Sequence, residues 1–322
     1  MELYATGFDA WNQLNFNKTD PRSNDEPSDL RAFTCILRDP VIRNVGAFLT
    51  YTSVETSSGN TTAGIVPKEH LLARKLRGID HRHSSCWAEA LNGSFVILNT
   101  TDFKLEQYSD SKNLRYMAGT LLNAKDDAKQ TFRVGSIGRP VQQLLAYDTG
   151  FVALTADGEV YTWGDERYSL CLGRMPTPES PADKPGLVAD LVDLPTGRIV
   201  KIAANGYLLA ALTSGNDLYF WGGHPAQEPL IEEILSGCPH PIALGDHDIV
   251  DVGVGESHMI ALTAAGQVYV IGVNQNGQLG TDTHHRSKDW VTVDLGLHQS
   301  QKIKGVAAGP RTSFIIVEGL RP

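Results

Sequence analysis

Chemistry, if this chain does any, would start from its histidines. His81-Arg82-His83 with Cys86 gathers side chains that can ligate a metal. Their spacing fits no standard zinc pattern, so the stretch reads as structural. His258 lies in Gly255-Glu256-Ser257-His258-Met259. That stretch lacks the closing glycine of a nucleophile elbow, so no hydrolase is implied. His258 itself is expected to be buried and bonded to backbone. His284-His285 reads as an exposed loop pair. No Gly-rich loop is followed by Lys-Ser or Lys-Thr, so a phosphate cradle is absent from the sequence. The expectation is a chain without catalytic residues, bound metal or cofactor.

Contact chemistry is better represented. Trp163 and Trp221 stand in apolar runs and read as core. Trp11, Tyr168 and Trp290 sit in or beside loops, and aromatic residues are enriched at binding hot spots. Asp165-Glu166-Arg167-Tyr168 adds charge to one of them, which makes it the leading contact surface. Arg74, Lys75, Arg77 and Arg82 form the most basic window and read as a solvated strand edge.

These positions must be held by something regular, and one stretch recurs at intervals of 58 and 50 residues. Ala153–Gly164 reads ALTADGEVYTWG, Ala211–Gly222 reads ALTSGNDLYFWG and Ala261–Gly272 reads ALTAAGQVYVIG. Each is two β-rich runs around a turn in which Gly158, Asn216 or Gly266 can take positive φ cheaply. Val160-Tyr161-Thr162-Trp163 has no clean polar face, as expected of a strand in a blade stacked between neighbours.

The 322 residues are enough for one large closed domain, taken as 1–322. The net charge of −9 argues against binding nucleic acid through bulk charge. No apolar run approaches the ~18 residues of a membrane span. The N-terminus lacks the basic-then-apolar build of a signal peptide. Cys35, Cys86, Cys171 and Cys238 are far apart and read as reduced intracellular thiols. A cytoplasmic or nuclear protein, monomeric or heterodimeric, is expected.

Residues 2–7 match the closing strand of the repeat, with Tyr4 and Gly7 standing as Tyr161 and Gly164 do. Ile303–Gly319 supplies opening strands and then the chain stops, so the N-terminal strand is expected to complete the C-terminal blade and close a ring. Phe8–Asn15 runs parallel to Val273–Gly280, and Asn12 and Asn15 in the places of Gly277 and Gly280 both look like positive-φ turn positions. Fainter copies run over Ile42–Val66, with its turn at Ser58-Gly59, and Lys75–Leu98, with its turn at Asn92-Gly93. Glu228–Leu235 could form a short helix. Opening strands near Ile42, Lys75, Val141, Ile199, Ile249 and Ile303 count six blades. The gap from Lys75 to Val141, with strand-like fragments at Phe103–Tyr108, Leu114–Leu122 and Thr131–Ile137, leaves room for a seventh.

The unit Ile249–Gly280, IVDVGVGESHMIALTAAGQVYVIGVNQNGQLG, resembles the repeat of the regulator-of-chromosome-condensation propellers. Residues 141–319 plus 2–15 carry the resemblance clearly, and degenerate blades fill 42–140. It implies an all-β single propeller of seven, alternatively six, four-stranded blades. It also implies a non-enzymatic scaffold whose rim loops bind an intracellular protein. In that frame Asp165-Glu166-Arg167-Tyr168 departs from the family's usual Asn-x-x-Gly stretch. The short, acidic, tailless build looks like the alpha-tubulin-suppressor type, whose implied partner is a small zinc-ribbon protein of diphthamide and wobble-uridine modification. It also looks like the relatives that partner a JmjC-type oxygenase. The alternative reading is a guanine-nucleotide exchange factor for a Ran-like GTPase.

Overall fold

A computed structural model describes residues 1–17, 27–75, 87–99, 103–109, 131–231 and 237–319. The chain divides into two compact units, 1–66 with 243–322, and 67–242. Each contains three antiparallel sheets.

In the unit 67–242, blade C orders the strands Trp87–Glu89, Phe95–Leu98, Lys104–Tyr108 and Thr131–Ser136. Blade D comprises Val141–Tyr147, Gly150–Thr155, Val160–Gly164 and the two-residue strand Gly186–Leu187. Blade E comprises Ile199–Asn205, Leu208–Thr213, Leu218–Gly222 and His240–Ile242. In the other unit, blade B has only Ile42–Ala47, Tyr51–Thr56 and Gly59–Gly64, and blade F has Ile249–Val254, His258–Thr263, Val268–Val273 and Arg286–Val293. Blade A joins both ends of the chain, in the order Gln301–Gly309, Thr312–Gly319, Glu2–Gly7, Leu30–Arg38. Tyr4 lies opposite Ile315, so the N-terminal strand does complete the C-terminal sheet.

Why the repeats fold alike is visible at their hairpins. Thr155, Thr213 and Thr263 each accept the backbone N–H four residues on with the side-chain hydroxyl, from Glu159, Asp217 and Gln267, at 3.0, 3.0 and 3.2 Å. The residue that closes each turn has positive φ: Gly158 at 94°, Asn216 at 72°, Gly266 at 81°. Second strands are buried throughout, as in Gly150–Thr155, Leu208–Thr213 and His258–Thr263. Packing on both faces thus replaces the alternation of a half-exposed strand.

First strands carry a bulge, and the bulge stitches blades together. The ladder shifts between Val141/Gln143, Ile199/Lys201, Ile249/Asp251 and Ile303/Gly305. Gln143 Oε1 accepts the Ile202 N–H at 2.8 Å, and Asp251 Oδ2 accepts the Val306 N–H at 2.8 Å. The side chain of one blade therefore satisfies an amide of the next. The turns after these strands are also chained: Asn92 N–H donates to Asp148 O, Asp148 N–H to Gly206 O and, in the other unit, Glu256 N–H to Pro310 O.

That chain of turns corrects the reading of 42–140. Asn92-Gly93 joins the first and second strands of blade C, since Asn92 bonds forward as Asp148 does. Lys75 ends an α-helix, Lys68–Lys75, and opens no strand. The fragments at 103–108 and 131–137 are the third and fourth strands of the same blade, so the gap holds no seventh blade among the described residues. Leu114–Leu122 lies outside them. The described residues form six blades, five four-stranded and one three-stranded, in place of seven four-stranded ones. Residues 228–231 are not helical, and the rest of the expected helix lies outside the described residues.

Candidate interaction site

In the unit 67–242, the rim of blades D and E gathers the strongest surface chemistry. After the strand Val160–Gly164, the Asp165 N–H donates to Thr149 O, which turns the chain across the end of the sheet. Asp165 then caps the 3-10 helix Glu166–Leu172, accepting the Arg167 N–H at 3.0 Å. Arg167 grips the same carboxylate through Nε at 3.0 Å and Nη2 at 2.5 Å. That guanidinium holds the Asp165 carboxyl below the usual carboxylate range. The pair leaves the Arg167 side chain 82% exposed.

Tyr168 breaks the helix with φ −113° and ψ 47°. Its ring meets Tyr207 at 5.1 Å and His224 at 5.6 Å, and Tyr207 meets His224 edge-on at 4.7 Å. Arg167 lies 6.0 Å from the Tyr168 ring centroid. Burial and the charge of Asp148 push the Tyr207 hydroxyl up to about 12. All three rings are partly exposed. Tyr207 and His224 escaped the sequence reading because each sits beyond a strand end and joins Tyr168 only through the stacking of blades D and E.

The floor beneath the rings is rigid. Gly173 closes the helix at φ 63°, and a Cβ there would lie 2.8 Å from Trp221 Nε1. Trp221 Nε1 donates to Cys171 O at 3.1 Å. Trp163 and Trp221 are fully buried, as expected of core residues. Cys171 is buried, and burial pushes its thiol up to about 12, which makes it a poor nucleophile. Cys35 and Cys171 are free thiols. Beyond Gly173, Arg174 organises the proline-rich loop to Gly186: Nη1 donates to Ser180 O at 2.9 Å, and Nη2 reaches Thr162 O, Pro181 O and Lys184 O at 3.0 to 3.2 Å.

The other expected contact residues belong to the other unit. Trp11 is 43% exposed at the tip of the Asp9–Asn15 turn. Gln13 Oε1 accepts the Trp11 N–H, and Asp9 Oδ1 accepts the Leu14 N–H. Gln278 and Asn274 repeat this toward Asn276 and Leu279. Asn12 has φ 54°, matching Gly277 at 82°. Asn15 does not share the positive φ of Gly280; its Oδ1 instead accepts the Asn17 N–H and starts a different turn. Leu49 and Ile65, 40% and 58% exposed, were not singled out by sequence. Trp290 is half-buried on the strand Arg286–Val293, not in a loop. There the ladder jumps from Val270↔Val291 to Gly272↔Ser287.

His258 is fully buried, with Nε2 3.2 Å from Thr312 O and 3.0 Å from Ser313 Oγ. Burial lowers its pKa to about 4, so it stays neutral. His284 and His285 are exposed beside a cavity of about 320 Å³ that Arg31 also lines. His81, Arg82, His83 and Cys86 lie outside the described residues. Among the described residues no three His, Cys, Asp or Glu side chains are placed to hold a metal. No helix there is long and apolar enough to cross a membrane.

Comparison with known proteins identifies the repeat. Residues 249–278 match the regulator of chromosome condensation (RCC1) repeat. The RCC1 domain-containing protein RUG3, mitochondrial, of Arabidopsis thaliana is 30% identical over 185 residues, covering 56% of this chain and 40% of that protein. The chain thus spans less than half the length of this curated relative. Human WBSCR16 superimposes with a TM-score of 0.56 at 16% identity, covering 99% of this chain and 81% of its own. Prp20p of Saccharomyces cerevisiae, described with its binding properties to Gsp1p and histones, has a TM-score of 0.56 at 13% identity, covering 99% and 92%. With the Thr-clasped hairpins and six blades already described, the chain carries an RCC1 repeat at 249–278 and is similar in fold to the RCC1-type β-propellers.

Proposed function

We propose that this chain is a non-enzymatic interaction module that presents Asp165, Glu166, Arg167 and Tyr168 to a protein partner, with Trp11 and Trp290 as further contact positions. The observation that carries this reading is the partly exposed Tyr168–Tyr207–His224 cluster. It is fixed over buried Trp221 and Cys171 and flanked by a largely solvated guanidinium. Rigid aromatic area beside an arginine binds protein at low conformational cost. The zinc-ribbon protein and the JmjC-type oxygenase implied by the sequence resemblance are candidate occupants, in the cytoplasm or nucleus. A photo-crosslinker at Glu166 in cells tests the reading. One stoichiometric partner, lost in the Tyr168→Ala background, supports it; labelling without a defined product rejects it.

A second reading, nucleotide exchange on a Ran-like GTPase, is favoured by the likeness to Prp20p, whose structure is reported with binding to Gsp1p. Such a factor pries open a nucleotide site and needs a wedge rather than acids or bases. Release of a labelled guanine nucleotide from a Ran-like GTPase, unaccelerated by the purified chain, excludes it.

A further inference from the structure

The guanidinium of Arg174 has no carboxylate partner among the described residues. It is surrounded by neutral oxygens: the carbonyls of Thr162, Ser180, Pro181 and Lys184, and the hydroxyl of Ser180 at 3.2 Å from Nη1. Its Nε is buried with no hydrogen-bond partner. Burial lowers its pKa, as expected for a cation held only by dipoles. Ser180 precedes Pro181 in the loop Arg174–Gly186, which has prolines at 176, 178, 181 and 185. Within it, Thr177 and Ser180 exchange backbone bonds of 3.1 Å with each other. This short turn is exposed at Met175, Thr177, Pro178 and Glu179.

We infer that Ser180 is a phosphorylation site for a proline-directed kinase and that Arg174 is the receptor for its phosphate. The kinase transfers the γ-phosphoryl group of ATP to Ser180 Oγ. The O–H bond breaks, its proton passes to the kinase base, and ADP leaves. The new dianion is carried by the terminal phosphate oxygens, attached to the Oγ that Nη1 now reaches, so a cation–dipole bond gives way to a bond in which both partners are charged. Exposed Glu179 opposes this at solvent screening, whereas the guanidinium is half-buried and little screened. The effect is to tighten a loop that leaves blade D directly after the helix bearing Arg167 and Tyr168. The inference stands independently of what binds there.

The test treats the full chain with a proline-directed kinase and ATP, maps the phosphate by mass spectrometry and follows it by phosphorus NMR. Expected is modification of Ser180, absent in Ser180→Ala, with a second phosphate pKa below the usual value of about 6. In Arg174→Gln it returns to the usual value, and in Arg174→Lys it moves only part of the way. Tryptic cleavage at Arg174–Met175 slows several-fold on phosphorylation of the native chain; Lys184 precedes Pro185 and is not cut. Phosphate confined to Thr177, or on Ser180 with a pKa indifferent to Arg174, overturns the inference.

Discussion

Gln143 of blade D accepts the backbone N–H of Ile202 in blade E through Oε1 at 2.8 Å, from the position where its own strand bulges. The bulge gives one side chain both the freedom to leave its ladder and a neighbour's amide to satisfy. Ile202 is 2% exposed, so removing the acceptor strands its N–H away from water. Gln143→Met keeps the volume and removes the oxygen. Chemical denaturation is expected to show a loss of about 1–3 kcal/mol with an unchanged m-value. A loss under about 0.5 kcal/mol, the range of a neutral surface change, would sink the idea.

Blade A makes a stronger demand on the N-terminal strand. Leu3 and Ala5 are fully buried, with Leu3 opposite Ile316 on one side and Leu37 on the other. Leu3→Ala is expected to cost about 2–5 kcal/mol, typical of a buried leucine. Hydrogen exchange should show the loss as faster exchange along Thr312–Gly319, whose partner strand is weakened. Unchanged protection of those amides contradicts the assignment of this strand to the core of the sheet.

How much of this was legible followed from where the signals sat. The hairpins at 153–164, 211–222 and 261–272 could be read because an apolar run, a threonine and a Gly or Asn turn are contiguous. The strand at 2–7 was legible because it repeats their closing half. Blade C was not, because Asn92-Gly93 is a good turn between any two strands and nothing local tells which pair it joins. The helix Lys68–Lys75 was overlooked although Pro67 precedes a run of Lys, Glu, Leu, Ala and Arg, which are good helix formers. Only Arg74 and Lys75 of this helix fall in the basic window that reads as a strand edge. At the candidate site, Arg167 and Tyr168 stood out as departures from the repeat. Tyr207 and His224 did not, because only stacking of two blades brings them to Tyr168.

Two buried groups act in opposite directions on acid stability. Asp9 is 8% exposed and its pKa is raised to about 6, first by burial and also by the charge of Asp29. Its protonated form favours folding, so this contribution is full below the unfolded value near 4 and is lost as pH rises through 6. His258 has its pKa lowered to about 4, so its contribution is full above 6.5 and is lost as pH falls through 4. Between pH 6.5 and 4 the two partly cancel. Asp9→Asn, which copies Asn274 of the sister turn, is expected to raise the Tm at pH 7.5 and steepen the loss on acidification. His258→Gln is expected to lower the Tm at pH 7.5 and flatten that loss. Parallel pH profiles for both variants and the native chain would show that neither group titrates as assigned.

Tyr168 offers the sharpest test of the interaction surface, because its ring and hydroxyl do different work. The ring packs on Tyr207 and His224, whereas the hydroxyl adds polarity at its tip. If the cluster is a hot spot, Tyr168→Ala weakens partner binding by about 30-fold or more, the scale of a 2 kcal/mol contact. Tyr168→Phe keeps the ring area and should lose only a few-fold. Arg167→Glu also removes the guanidinium that grips Asp165, so its binding loss has to be read beside its thermal melt. Equal binding by the alanine and phenylalanine variants, each melting as the native chain does, would leave the aromatic cluster a packing feature of blades D and E and move the contact surface elsewhere.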